Sequence, residues 1–222
     1  MKPELIKTAD GSHSLFLKDL DEHYHSVHGA IQESKHVFLQ AGLSQFNDKK
    51  NISILEIGFG TGLNALLTFI ENVISNRVID YSTLEAFPLE MEVVNELNYV
   101  QELNASDYHS SYLKMHESEW ETKISLSPSF NFTKIKNTLQ EVSFPKQYDL
   151  IYFDAFGPRV QPELWTEEIF QKIYNATAVG GMLVTYCAKG EVKRTLKKVG
   201  FVLETLPGPP GKREMIRVSK HS

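Results

Sequence analysis

The chain has 222 residues, 41% of them hydrophobic and 23% charged, a length and balance that suit one globular α/β domain. No apolar run reaches the roughly 18 residues of a membrane-spanning helix, and Met1-Lys2-Pro3-Glu4 opens no secretory signal, which argues against a membrane or exported protein. The net charge of −5 argues against nonspecific coating of nucleic acid, and the lone Cys187 excludes an internal disulfide and fits a reducing cytoplasm.

Residues 12–40 read as a leader: a strand pair up to His25, then a helix from Gly29 to Ala41, carrying five of the eight histidines. Ile52–Ile57 is the first clear strand. Leu63–Val73 follows with apolar positions at helical spacing, and Val78–Glu85 is a second strand. Pro88 is placed to open a helix running through Val93, Val94 and Leu97. Asn104–Thr122 is polar and rich in Tyr, His and Ser, a helical or loop insertion, and Phe130–Ile135 reads as a third strand. Tyr148–Phe153 is a continuous apolar strand of the kind a buried parallel sheet needs. Glu163–Thr177 is a predicted helix, and Gly180-Gly181 turns the chain into a strand that starts at Met182 and buries Cys187 as a core thiol. Glu191–Val199 is a short basic helix. Phe201–Leu206 and Glu214–Ser219 close the chain as two strands joined by a Pro/Gly-rich loop. The alternation of strands and helices predicts a doubly wound, mostly parallel α/β sheet. Residues 1–50 form an N-terminal extension and 51–222 a Rossmann-like core of the same domain.

Glu56-Ile57-Gly58-Phe59-Gly60-Thr61-Gly62 lies where a strand gives way to a helix. Glycines there allow a tight turn and close approach of a ligand to backbone amides at a helix N-terminus. A dinucleotide site would carry a third small residue where Leu63 stands; the pattern is instead E-x-G-x-G-x-G. S-adenosylmethionine suits it better. That molecule has no pyrophosphate and carries positive charge, so an acid such as Glu56 beside the loop is useful, while Glu85 at the end of the second strand is placed for two ribose hydroxyls.

Asp149–Phe153 is a buried strand that ends in Asp154, followed by Ala155-Phe156-Gly157-Pro158. Open α/β sheets bind ligands at the carboxyl ends of their strands, so Asp154 is expected to face the same crevice as the glycine loop. An Asn/Asp-Pro-Pro-aromatic stretch for holding the exocyclic amine of a base is absent. A lone Asp can accept hydrogen bonds from an alkylamine and take its proton, leaving the lone pair free to attack a methyl group. Phe156 is a candidate for stacking on a splayed base, and Trp165 for either stacking or the core. His23, His25 and His28 lie close together, yet no cysteine pair and no H-E-x-x-H accompanies them, so no metal is expected.

These residues resemble a family. Asp154-Ala155-Phe156-Gly157-Pro158 with Pro162-Glu163-Leu164-Trp165 is similar to the D-[GA]-F-x-P-x-x-x-P-[DE]-[ML]-W signature of MnmC-type, MnmD-like methyltransferases. Gly58-Phe59-Gly60-Thr61-Gly62-Leu63-Asn64 looks like that family's cofactor loop. Tyr24-His25-Ser26 with Glu33–Phe38 looks like its leader, and Gly211-Lys212-Arg213-Glu214-Met215 like its closing hairpin. The resemblance spans roughly residues 12–218. It implies a class I methyltransferase sheet of seven strands with an antiparallel C-terminal hairpin. It also implies N-methylation of 5-aminomethyl-2-thiouridine at the tRNA wobble position, giving 5-methylaminomethyl-2-thiouridine. Carried over residue by residue, Glu56, Gly58, Gly60, Thr61, Gly62, Asn64 and Glu85 would hold S-adenosylmethionine, with Asp154 at the target amine. Tyr24, His25, Phe156, Pro158, Lys212 and Arg213 would meet the tRNA. Some members are fused to a flavin-dependent oxidase that makes the aminomethyl group. A chain of 222 residues has no room for one, so this looks like a stand-alone form that depends on separate enzymes for its substrate.

The sequence departs from the family at one place. Near the third strand the family carries a Gly-Asp pair for adenine, whereas the aligned Phe132-Thr133-Lys134-Ile135 has no acid; either backbone groups hold adenine or the alignment shifts there. Two other functions fit the residues: methylation of a small-molecule or protein amine, and an inactive RNA-binding domain on the same scaffold. Clustering of Lys193–Lys198, Lys212 and Arg213 at the crevice mouth would favour tRNA, and their scatter a small substrate.

Overall fold

The computed structural model describes residues 3–75 and 77–221. Strands β1 (Glu4–Lys7), β2 (His13–Leu17) and β3 (Glu22–His23) make a small antiparallel sheet. Helix α1 (Ala30–Ser34) continues as a π-helical stretch over Lys35–Gln40. Its first amides are capped from the β1–β2 turn. Ala30 donates to Thr8 Oγ1 at 3.4 Å, Ile31 to Ser12 Oγ at 3.4 Å and Gln32 to Asp10 Oδ2 at 3.0 Å.

The main elements follow as β4 (Asn51–Ile57), α2 (Leu63–Ser75), β5 (Val78–Glu85), α3 (Met91–Val94), α4 (Tyr99–Glu102), α5 (His109–Glu117), β6 (Ile124–Ser127) and β7 (Phe130–Lys136). Then come β8 (Tyr148–Phe153), α6 (Glu167–Ala176), β9 (Thr177–Thr185), α7 (Gly190–Lys198), β10 (Val202–Pro207) and β11 (Glu214–Ser219). The large sheet has the order β10-β11-β9-β8-β4-β5-β7-β6. Its five inner strands β7, β5, β4, β8 and β9 run parallel, while β11, β10 and β6 are antiparallel to their neighbours. The strand order reverses between β4 and β8, which puts the switch point, and a ligand crevice, at their carboxyl ends.

Side-chain alternation divides the core into two layers. Leu55, Ile57, Ile151 and Phe153 face α6 and α7 with Ile169, Phe170, Val192 and Leu196. Ile54, Tyr81, Phe130, Phe132, Leu150 and Tyr152 face Phe38 of the leader and Phe69 of α2. A third cluster joins the leader to the insertion, with Leu15 and Ile31 packed among Leu66, Val94, Tyr99 and Tyr112.

Five features differ from the sequence reading. The sheet gains an eighth strand, β6, which pairs with the edge of β7, and the leader begins earlier, with β1. The helix after Pro88 starts only at Met91, because Glu90 takes an extended N-cap conformation. The predicted Glu163–Thr177 helix is broken at Thr166. A 3-10 turn over Pro162–Trp165 precedes that residue, whose hydroxyl accepts from Ile169 N at 3.3 Å and so begins α6. Gly180-Gly181 lies within β9 and makes no turn. Gly180, at φ +77, sits where β9 slips register against β8 and donates to Lys220 O at 2.8 Å.

Candidate active site

The carboxyl ends of β4, β5, β7 and β8 open on one crevice of about 1200 Å³. The turn from β4 into α2 lies along it. Gly58, Gly60 and Gly62 have φ of +91, +48 and +72, a region that side chains disfavour. A Cβ on Gly58 would come within 2.8 Å of the Asp154 carbonyl oxygen, and one on Gly60 within 3.2 Å of the Tyr24 ring. Gly58 N donates to Leu84 O at 2.9 Å. Glu85 spans the neighbouring loops, its Oε2 accepting from Gly60 N at 2.9 Å and its Oε1 from Phe87 N at 2.8 Å.

Asp154 stands at the end of β8, its amide donating to Ile57 O at 3.0 Å. Its Oδ2 accepts from Asn64 Nδ2, in the first turn of α2, at 2.8 Å. Desolvation pushes the Asp154 carboxyl up to about 7, helped by the charge of Glu33 and opposed by the Asn64 hydrogen bond and by Lys212. Such a group can both accept and release a proton near neutrality. Tyr24 and Phe156 meet edge to face beside it, with centroids 5.1 Å apart. Phe156 is pinned at both ends of its peptide unit: its amide donates to Gln161 Oε1 at 3.2 Å and Trp165 Nε1 donates to its carbonyl at 2.8 Å. Trp165 itself is core, packed on Phe153 at 5.0 Å. Burial, then the charge of Glu85, raises the Tyr24 phenol to about 12. Burial lowers the His25 imidazole to about 4, so both are neutral at ordinary pH.

Tyr24, His25, Gly58, Gly60, Thr61, Asn64, Glu85, Asp154 and Phe156 therefore share one crevice, whereas Glu56, Gly62, Pro158, Lys212 and Arg213 are not among its lining residues. Strand alternation explains Glu56. It lies on the same face of β4 as Ile54, with Thr83 and Tyr152 as cross-strand neighbours, and is fully buried beneath the loop. Its oxygens face Thr83, Tyr81 and Asn64 without closing a hydrogen bond to any of them, and burial pushes the carboxyl up to about 8. In the ligand-free protein it is therefore held mostly as the neutral acid at neutral pH.

Lys212 is also placed differently from expectation. Its ammonium pairs with the buried Glu33 of α1 and lies 3.9 Å over the Tyr186 ring, so it joins the closing hairpin to the leader. Arg213 is exposed and reaches Glu214 at 3.2 Å. Lys193 and Lys198 pair with Glu214 and Glu167 at 2.7 and 2.6 Å. The basic cluster is thus largely engaged in ion pairs away from the crevice wall. Near the third strand, β7 runs to Lys136, and the residues that reach the crevice are Lys136, Asn137, Thr138, Leu139 and Gln140. Lys134 lies inside, 1% exposed, and Asn137, just past the strand end, is the residue that reaches the crevice. Carrying the strand one residue past Ile135 would have exposed this position. Leu17, Leu20 and the exposed Phe87 form an apolar mouth that no motif marked. Among the described residues, no group of three or more His, Cys, Asp or Glu side chains converges as a metal site.

A mostly parallel sheet with a glycine-rich turn after β4, an acid ending β5 and an acid ending β8 defines a Rossmann-like methyltransferase of class I. The model of a family described as S-adenosyl-L-methionine-dependent methyltransferase matches residues 95–221, and the chain belongs to that family. It is similar to the tRNA 5-methylaminomethyl-2-thiouridine biosynthesis bifunctional protein MnmC of Leptospira borgpetersenii, 30% identical over 88% of this chain and 32% of that one. The protein of the same name from Pseudoalteromonas translucida is 27% identical over 89% of this chain and 33% of its own length. The chain thus spans about a third of the length of these curated relatives. Among solved structures, MNMC2 from Aquifex aeolicus superposes with a TM-score of 0.78 at 25% identity, over 98% of this chain and 70% of that one. The cofactor is S-adenosylmethionine. The crevice fits it: the glycines leave room for close approach, and Glu85 supplies acceptors at the end of β5. The buried Thr61 Oγ1 and Asn64 Oδ1 beside the loop have no hydrogen-bond partner among the described residues. Among the described residues no helix is long and apolar enough to cross a membrane.

Proposed function

We propose that this chain, in the cytoplasm, methylates the aminomethyl nitrogen of 5-aminomethyl-2-thiouridine at the wobble position of tRNA. The product is 5-methylaminomethyl-2-thiouridine, made from an aminomethyl precursor that a different reaction must supply. The observation that carries this reading is Asp154, a carboxyl raised to about 7 that faces the same crevice as the glycine loop and Glu85. The relatives named for 5-methylaminomethyl-2-thiouridine biosynthesis support the choice of amine.

S-adenosylmethionine supplies the methyl group on a positively charged sulfur. In this reading Gly58, Gly60 and Thr61 border it, Glu85 takes the ribose hydroxyls, and Asn137 offers an amide where the family's adenine acid would stand. Asp154, oriented by Asn64, would accept a proton from the substrate ammonium and free the nitrogen lone pair for the new N–C bond, while the methyl–sulfur bond breaks and its electron pair leaves on sulfur as neutral S-adenosylhomocysteine. Tyr24 and Phe156 flank the base and exclude water from the amine. Arg213 meets the RNA backbone from outside the crevice.

The deciding experiment is nucleoside mass spectrometry of tRNA bearing aminomethyl-uridine after incubation with the protein and S-adenosylmethionine. Conversion to methylaminomethyl-uridine is expected. Cofactor binding by calorimetry with no conversion would overturn the tRNA assignment and leave a small-molecule or protein amine as substrate.

A further inference from the structure

Helix α5, from the polar insertion, packs behind the glycine-rich loop, and none of its residues is among those lining the crevice. Tyr112 and His116, one turn apart, converge on one carbonyl. The Tyr112 hydroxyl donates to Thr61 O at 2.8 Å, and His116 Nε2 lies 3.2 Å from the same oxygen. Burial lowers the His116 imidazole to about 3, so the ring is neutral, and its contact with a carbonyl makes Nε2 the protonated nitrogen. The ring also packs on Phe59 of the loop at 4.7 Å and on Tyr112 at 5.0 Å. It fills the space at Gly62 so closely that a Cβ there would lie 2.6 Å from Nε2.

The far end of α5 is held in turn. Lys134, on the core side of β7 and 1% exposed, donates its ammonium to the carbonyl of His116, one of the last in the helix. The same ammonium lies 4.5 Å over the Trp120 ring, and the Lys134 carbonyl accepts from Glu121 N at 2.8 Å. A lysine among Phe130 and Phe132 is unfavourable unless its charge finds acceptors. A helix C-terminus, with free carbonyls and the negative end of the dipole, is such a partner.

We infer that α5 braces the cofactor loop, that Tyr112 and His116 are positioning residues for S-adenosylmethionine, and that Lys134 fixes the helix at the height where both reach Thr61. Three glycines at positive φ give the loop little order of its own, and ordering it on binding costs conformational entropy. Holding the Thr61 carbonyl from α5, whose residues do not line the crevice, orders beforehand a loop that does line it. The inference rests on S-adenosylmethionine binding and is independent of which amine is methylated.

Calorimetry of S-adenosylmethionine with Tyr112→Phe, His116→Ala and Lys134→Met tests it, alongside thermal melts and steady-state kinetics. Each variant is expected to raise the dissociation constant and the KM for S-adenosylmethionine by roughly three- to tenfold, the worth of one net hydrogen bond. The kcat at saturating cofactor and the KM for the methyl acceptor should stay within about twofold, a split that general loss of packing does not produce. Variants that melt earlier yet bind S-adenosylmethionine as tightly as the wild type would overturn the inference. Tyr112→Phe removes a single hydroxyl from a buried ring and decides the matter even if Lys134→Met fails to fold. A wild type that does not bind S-adenosylmethionine would instead contradict the cofactor assignment itself.

Discussion

Asp154 and Glu56 both carry native-state pKa values above those of free carboxyls, at about 7 and about 8, and the first cause in each is loss of water. For Asp154 the consequence is kinetic. The wild-type kcat/KM is expected to rise through about pH 7 as the carboxyl ionises. Asp154→Asn should lose that limb and cut turnover by on the order of 10²–10⁴-fold while sparing cofactor binding, with part of the loss recovered at higher pH where the amine deprotonates unaided. Wild-type turnover in that variant would mean that another group takes the proton. For Glu56 the consequence is stability. A raised acid holds its proton in the folded protein at a pH where the unfolded chain has released it. Its contribution is therefore complete below the free value of 4.5 and is lost as pH rises toward about 8. Glutamine cannot ionise, so the melting temperature of ligand-free Glu56→Gln should gain on the wild type between about pH 5 and about pH 8. An unchanging difference across that range would show that Glu56 ionises in place at no cost. Residue type alone marked both acids as candidates, but their separate tasks follow from which face of which strand each occupies.

At two of the places where a single side chain fixes one element, substitution should separate packing from recognition. Lys212 joins the closing hairpin to α1 through Glu33, a residue 179 positions away. Because Glu33 is buried, Lys212→Ala leaves a carboxylate without its partner and should cost about 2–3 kcal/mol, somewhat below the ~3–5 typical when both members are fully buried. Arg213→Ala, at an exposed side chain, should change stability by less than about 0.5 kcal/mol. It should instead weaken tRNA binding and flatten its salt dependence. Urea unfolding and a salt series of tRNA titrations check the pair, and equal loss of stability in both variants would contradict the contrast. At the second place, Thr166 begins α6 directly after the turn that holds Phe156 and Trp165. Thr166→Ala should cost about 1 kcal/mol through the lost cap, read as a lowered melting temperature. Both Lys212 and Thr166 are plain in the chain; the hairpin motif suggested RNA for the first, and an unbroken helical pattern hid the second.

Across the whole molecule, what the sequence determined by itself is the set of elements whose residues are alike in every context. Val78–Glu85, Tyr148–Phe153 and Glu214–Ser219 match their predicted bounds, because continuous apolar or β-branched runs can be buried only as strands in such a sheet. The glycine turn was legible because positive φ at Gly58, Gly60 and Gly62 admits few other residues, and Asp154 because a strand that ends in an acid must point it at the crevice. Only the tertiary structure decided where the remaining polar groups turn. One residue of strand phase put Glu56 beneath the loop, and one residue of strand length brought Asn137 to the crevice in place of Lys134. Lys134 then found its partner in His116 of α5, and Lys212 in Glu33 of α1, across sequence separations that no local pattern spans. Local sequence sets the backbone's preference within a few residues. The environment of a buried charge is set by whichever distant element packs against it, and that is known only once the layers have closed.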